Sequence, residues 1–457
     1  MDDILVLDNG GGFVKAGIVG THDDPIVVPN CLARPRGSKK WIIADQLEKC
    51  DEIQGISLRR PFDRGYLVHC DAEKEVWDRV FKALVKIRPP ETALFLVEPP
   101  FTLSAIRKNT DELVFEEFGF QSLFVSHAAP LVHLYEANRR PKSRLALGNC
   151  SLVVDCGFSF THAVPIVQGF PVYHGIKRIN LGGKALTNYL KELVSYRAWN
   201  VMDETYIMED VKHSLCFCSK NVLGDLDVAR KKGRENYIRC QYVLPDGVKN
   251  KRGFVKDPAA AAAYFSKQGG EQQGEEKEEA QAPMDVDAAV DEAAEASDPN
   301  RRNAIPVADD QELTLTNERF MVPEMLFQPA DLGMEEAGLS ECIVRAINSC
   351  HPDLHPLLYS KYISLRFEVL FNRVFYSIIL TGGCVQFPFF KEKLESELRP
   401  LVPDEYNLNI QLTDSPIKAP WYGGALLASS PEFQGCSVTK KQYEEEGSHR
   451  CRWRFLQ

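Results

Sequence analysis

Leu5-Val6-Leu7-Asp8-Asn9-Gly10-Gly11-Gly12-Phe13-Val14-Lys15-Ala16-Gly17 is the stretch on which the fold turns. An apolar run, Ile4 to Leu7, ends at an acid, passes through three glycines and resumes with Phe13, Val14 and Ile18. Glycine lets backbone N–H groups approach an anion closely and permits φ > 0. Asp8 suits a metal ion or its waters, and Lys15 suits a phosphate. The segment after the glycines is short and β-like, whereas a P-loop or a dinucleotide fingerprint opens a helix at that point. Taken alone, the stretch also reads as a plain tight β-hairpin turn.

The pattern then returns. Leu152-Val153-Val154-Asp155-Cys156-Gly157-Phe158-Ser159-Phe160-Thr161-His162-Ala163-Val164-Pro165 is again apolar strand, acid, glycine turn and apolar strand, with Asp155 placed 147 residues after Asp8. The recurrence predicts two related α/β halves, each presenting an acidic, phosphate-facing turn to a shared cleft. A third strand, Ser377 to Thr381, runs into Gly382-Gly383, and Trp421-Tyr422-Gly423-Gly424 opens a helix. Helical spacing covers Glu73–Val85, Ser104–Phe118, the stretch after Lys184 through Tyr196, residues 203–221 and Ser340–Cys350. Buried-strand composition covers Thr92–Val97, Leu123–Ser126 and Ile238–Leu244. This alternation is that of an α/β sheet with helices packed on it.

The 457 residues are enough for two to four domains, and 44% apolar residues is a globular value. The net charge of −10 is local. Eleven acids and one lysine lie between Glu271 and Asp298, and the remainder carries 53 acids and 53 bases. Electrostatics therefore offers no general case for nucleic-acid affinity. From about Asp257 to Asp310 the five-alanine run and acidic tract predict a disordered insertion, solvated or serving as a tether for histones or another basic partner. Residues 32–60 read as a small charged surface subdomain. Its basic run Arg34-Pro35-Arg36-Gly37-Ser38-Lys39-Lys40 reads as a solvated loop, with a DNA or partner contact as the alternative.

Thirteen cysteines show no paired metal-ligand spacing, and no signal peptide precedes them, which points to a reducing compartment. Cys216 and Cys218 read as small buried hydrophobes on a helix. No uncharged apolar run approaches the ~18 residues of a membrane span.

In order and spacing, the two hairpins, Leu380-Thr381-Gly382-Gly383 and Trp421-x-Gly423-Gly424 resemble the actin superfamily, over essentially the whole chain outside 257–310 and one other insertion. The blocks Arg64-Gly65-Tyr66-Leu67-Val68, Phe115-Glu116-Glu117-Phe118-Gly119-Phe120-Gln121 and Gly157 to His162 carry the resemblance. So do Arg178-Ile179-Asn180-Leu181-Gly182-Gly183-Lys184, Val201-Met202-Asp203-Glu204-Thr205 and Asn317-Glu318-Arg319-Phe320. They are most similar to nuclear actin-related proteins.

The resemblance implies an α/β, actin-like, ribonuclease-H-like duplicated fold with two lobes and four subdomains, and ATP or ADP with Mg2+ in the central cleft. Residues 1–150 with 415–457 would form the first lobe, its small subdomain at about 32–60. Residues 151–256 and 311–414 would form the second. Asp8, Gly10, Gly11, Gly12, Lys15, Asp155, Gly157, Gly182, Lys212, Gly382, Gly383 and Phe387 occupy the matching nucleotide-binding positions, with Asp8 and Asp155 holding the cation through its waters.

Departures from the family pattern bear on hydrolysis. The family's water-orienting glutamine is absent from His127-Ala128-Ala129-Pro130-Leu131, and the second cleft acid of the family's second hairpin is Phe158 here. His162 remains, and His213 replaces an adenine-side glutamate. A lone histidine does not both position and deprotonate a water. The expectation is a non-catalytic chain that keeps nucleotide as a structural ligand. The 32–60 segment is shorter and differently composed than the family's filament-contacting loop, so a monomeric subunit is expected in place of a filament.

The implied role is a structural subunit, nuclear and also cytoplasmic, of a Swr-type remodeller that exchanges canonical histone 2A for its Z variant. Its implied partners are a Swi/Snf-family ATPase, a zinc-finger HIT subunit, other remodeller subunits and the nucleosome, with no membrane. The alternatives are an active actin-fold ATPase or sugar-kinase-like phosphotransferase, and a cytoskeletal actin-related protein. Arg139-Arg140-Pro141-Lys142-Ser143-Arg144 is the import-like basic run. Lys361 to Ser377 breaks the family spacing. It reads as a lineage-specific β-rich insertion or a retained non-coding stretch, the second preferred.

Overall fold

Two sheets carry one topology. In the first, Asp3–Asn9 and Phe13–Ile18 pair antiparallel with Asp8 opposite Lys15, while Thr92–Glu98 and then Ser122–His127 add in parallel on the other side. Ile26–Pro29 and Val438–Thr439 form its edges. In the second, Cys150–Cys156 and Thr161–Val167 form the hairpin with Asp155 opposite His162, and Ile378–Thr381 and Ile410–Leu412 add in parallel. Phe170–Pro171 and Lys177–Ile179 flank Thr161–Val167. The repeated sequence pattern is thus a repeated sheet, matched strand for strand through the four central positions. This computed structural model describes residues 3–140, 150–247, 249–269, 311–359, 378–404, 406–431 and 433–456.

The first strand is apolar on both faces because both faces are covered. Leu5 and Leu7 meet Val76 and Trp77 of the helix Cys70–Arg79, and Val6 meets Trp421 of the helix Ala419–Ala428. Trp421 donates its indole N–H to the Val6 carbonyl at 3.1 Å. The helix Ala128–Arg139 joins the two sheets: Ala129 and Val132 pack on Val153, Val164 and Ile379. His133 Nδ1 lies 2.7 Å from Ser151 Oγ, and Gln411 donates to Glu136 at 2.9 Å. Gly423 lets the Ala419–Ala428 helix approach this one, since a Cβ there would stand 1.9 Å from the Leu131 carbonyl oxygen.

Three expectations change. Residues 32–60 contain a three-stranded sheet of Ile42–Ile43, Leu32–Arg34 and Ser57–Arg59. Its Cys31, Ala33, Leu47, Ile53 and Ile56 join the apolar cluster of the second sheet, so it is anchored across the cleft as well as solvated. Cys216 and Cys218 are buried, as expected of small hydrophobes, but the helix ends at Leu215 before them.

The expected disorder does not begin at 257. Pro258–Gly269 is helical. Tyr264 is fully buried with its ring centroid 4.0 Å from that of Phe217, and it donates to Asp225 at 2.6 Å. Alanine's high helix propensity and the aromatic anchors Tyr264 and Phe265 order the segment despite its composition. The acidic tract within 270–310, the stretch 361–377 and most of the import-like run lie outside the described residues. No helix among the described residues is long and apolar enough to cross a membrane.

Tyr264→Phe should cost about 1–2 kcal/mol by removing one donor from the buried Asp225 carboxylate. Tyr264→Ala should cost about 3–5 kcal/mol. Urea unfolding of both variants checks the order.

Candidate functional site

The turns after Asp8 and after Asp155 face each other across a cavity of about 460 Å³ at the C-terminal ends of both sets of parallel strands. Ligands of open α/β sheets bind in such a crevice. Both turns close with the same bond: the Gly10 amide donates to the Phe13 carbonyl at 3.1 Å, and the Gly157 amide to the Phe160 carbonyl at 3.0 Å. That leaves the amides of Gly11 and Gly12 on one side, and of Phe158 and Ser159 on the other, with no backbone acceptor among the described residues. A Cβ on Gly11 would stand 2.9 Å from Ser159 Oγ, and one on Gly12 would stand 2.9 Å from the Phe158 ring. The glycines are required because the opposite turn touches them. Successive unpaired amides of this kind make an anion-binding nest.

The third turn completes the wall. Gly382 has φ +94, and a Cβ there would lie 2.4 Å from the Cys156 carbonyl oxygen and 2.7 Å from Asp155 Oδ1. Gly383 and Phe387 line the cavity together with Gln386, Pro388 and His213. Gly182 is the one sequence-derived residue not on the wall. It caps the helix Gly183–Arg197, where a Cβ would stand 2.7 Å from the Phe158 carbonyl oxygen. Its role is therefore to support the second turn, and its neighbour Gly183 lines the cavity instead. The first amides of this helix donate to Gly157 and Phe158, so its N-terminus holds that turn in place.

The charges are arranged in pairs. Lys15 Nζ lies 2.9 Å from Asp8 Oδ2. Asp155 is lifted to about 6, first by burial and then by the charge of Asp8, with Lys15 opposing. Two carboxylates and one ammonium between two amide nests suit a divalent cation with its waters and a phosphate chain. The residues present fit that group, with Asp8 and Asp155 toward the cation and Lys15 and the Gly11, Gly12, Phe158 and Ser159 amides toward phosphate. Lys212 also lines the cavity, but its ammonium donates to the Gly183 carbonyl at 2.9 Å and Thr187 Oγ1 at 2.8 Å. It fixes the helix that fixes the turn.

His162 and Phe158 show what the water-handling side has become. His162 lines the cavity with Nε2 unpartnered, and burial, reinforced by Arg178 and His127, pulls it down to about 3. The Phe158 ring lies under the Arg60 guanidinium at 4.6 Å, and Arg60 is held by both Glu209 oxygens at 2.8 and 2.9 Å.

Sequence reasoning missed that pair and the ties around it. Gly55 donates its amide to Glu204 at 3.0 Å. Arg252 reaches the Leu47, Glu48 and Cys50 carbonyls and the Tyr206 hydroxyl. Lys184 pairs with Asp63, and Arg178 donates to Tyr66. These contacts bind the small sheet to the second half across the mouth of the cleft. Most of their partners lie more than a hundred residues apart, and no local signal marks them.

A family model described as Actin matches residues 2–456. The chain is 51% identical over 459 residues to "Actin-related protein 6" of Arabidopsis thaliana, covering all of both chains. It is 50% identical over 454 residues to the protein of that name in Oryza sativa subsp. japonica, covering 99% of this chain and 98% of the relative. To the Dictyostelium discoideum protein of the same name it is 34% identical over 481 residues, covering 99% and 94%.

Lys15→Met should weaken Mg2+–nucleotide binding by ten- to a hundredfold, the loss of one charged hydrogen bond of roughly 1.5–3 kcal/mol. Calorimetric titration reads it. Arg252→Ala should speed amide exchange in residues 44–56 by about tenfold or more, while the Asp3–Asn9 strand keeps its protection.

Proposed function

This chain belongs to the actin family, and on that premise we propose that it is a non-catalytic, nucleotide-stabilised structural subunit of a nuclear chromatin remodeller. The observations that carry the non-catalytic part are the Phe158 ring stacked under Arg60 and the desolvated His162 imidazole, both on the cavity wall. A water attacking a bound phosphate needs a base and an orienting group. Here the acid position holds a phenyl ring capped by Arg60, and the histidine is too weak a base at neutral pH to take a proton. The glutamine position is filled by His127-Ala128-Ala129, of which Ala128 reaches the cavity wall. Nucleotide bound between the turns would stabilise the two halves by mass action.

The assembly we propose is the Swr-type complex that replaces canonical histone 2A by its Z variant, with the chain contacting the Swi/Snf-family ATPase and a zinc-finger HIT subunit. Support comes from the sequence blocks shared with nuclear actin-related proteins and from the full-length similarity to proteins named actin-related protein 6. The clamp across the cleft suits a scaffold, because a preorganised surface loses less entropy when a partner segment orders on it. The nuclear placement belongs to the same proposal.

Affinity purification of the tagged full chain from nuclear extract, followed by mass spectrometry, tests it. Recovery of a Swi/Snf-family ATPase with a zinc-finger HIT protein is the expected result. Recovery of actin filaments and cytoskeletal proteins alone would contradict it.

A further inference from the structure

The polar groups beneath the first turn do not balance. Glu73 lies in the first turn of the helix Cys70–Arg79, fully buried on the face that carries Ala72, Val76 and Trp77 into the core. Neither of its carboxylate oxygens completes a hydrogen bond among the described residues. Three neutral polar side chains come close enough to favour its ionised form against burial: Asn9 from the end of the first strand, Asn30 from the segment after Ile26–Pro29, and Trp77 from its own helix. Two of their donors are already engaged with other acceptors. Trp77 Nε1 donates to Asn9 Oδ1 at 3.2 Å, and Asn30 Nδ2 donates to the Gly10 carbonyl at 3.0 Å. The Asn30 amide also holds the Gly12 carbonyl at 2.9 Å, while Asn30 Oδ1 is unpartnered.

The cluster therefore contains three acceptor atoms without a donor. A buried carboxylate in this place is offset only by neutral amide and indole donors, two of which serve other acceptors, whereas a carboxylic acid supplies a donor for an acceptor such as Asn30 Oδ1. The other titratable group that feels Glu73 is the Cys70 thiol on the same helix, raised by burial and then by Glu73 and Asp71. Burial pushes the Glu73 carboxyl up to about 7.

We infer that Glu73 is a positioning residue that couples its own protonation to the geometry of the Gly10–Gly12 turn. Neutral, it leaves Asn30 on Gly10 and Trp77 on Asn9. Ionised, it draws one of those donors to itself and loosens the turn that they hold. The competent form carries the proton, so affinity for a phosphate ligand is full on the acid side and falls as pH rises through neutrality. This rests on reading the turn as phosphate-facing. If only the neutral form is competent, the apparent Kd of a group titrating midway rises about tenfold between pH 6 and pH 8.

The test uses the full chain and Glu73→Gln, which keeps the shape and stays neutral. Mg2+–ADP affinity is measured by calorimetry from pH 6 to pH 8 at fixed ionic strength. In parallel, the nucleotide-free protein carrying fluorotryptophan is titrated by fluorine NMR, with the Trp77 resonance assigned through Trp77→Phe. The difference in slope between the two proteins is the readout, because the phosphate's own titration is common to both. The expected result is an extra loss of about tenfold in the unsubstituted chain, with a Trp77 resonance that shifts over the same range only there. A pH-independent Trp77 resonance, or equal slopes in both proteins, overturns the inference. A Trp77 shift without Mg2+–ADP binding at any pH supports the coupling and overturns the nucleotide reading of the cleft.

Discussion

The contact between two glycine turns governs the rest of the structure. Gly11 meets Ser159 and Gly12 meets Phe158 so closely that neither glycine has room for a Cβ. Each turn hangs from the C-terminal end of a buried strand with an apolar centre, and each strand lies inside a sheet covered on both faces. The sheets can bring those ends together because the helix Ala128–Arg139 packs on the second sheet directly after leaving the first. Everything that makes the cavity polar, from the Asp8–Lys15 pair to the unpaired amides, depends on that approach.

The same approach accounts for the cleft we propose, one that binds without hydrolysing. Amides and paired charges are properties of the turns, and they survive side-chain change at neighbouring positions. Water activation depends on particular side chains, and on that side of the cleft this chain carries a phenyl ring, a desolvated imidazole and an alanine. The clamp of Arg60, Glu204, Glu209 and Arg252 then holds the small sheet over the cleft through charged hydrogen bonds to the second half. On the function we propose, such a molecule would act by shape, with the clamp and any bound ligand together setting the distance between the two halves.

The hairpins were legible in the sequence because their signal is local: an apolar run, an acid and glycines within a dozen residues. The duplicated topology was legible because that signal occurs twice. The Pro258–Gly269 helix was hidden because its composition is averaged with that of the acidic tract beyond it. Lys212 and Gly182 do lie at the site, but their positions in the chain do not reveal their parts: Lys212 engages a helix carbonyl and a hydroxyl, and Gly182 supports the turn from behind. The clamp joins residues such as Arg252 and Leu47, whose proximity only the assembled fold creates. Glu73 was the readable miss: an acid three and four residues before Val76 and Trp77 sits on the helix's apolar stripe, which marks a charge headed for the core.

We propose that this cleft holds a nucleotide without cleaving it. Incubating the purified chain with Mg2+ and γ-labelled ATP, then separating protein from free label, measures retention and cleavage in one sample. The account predicts triphosphate recovered intact from the protein, with phosphate release no faster than in its absence. Steady release of labelled phosphate above that background, abolished by Lys15→Met, would contradict it.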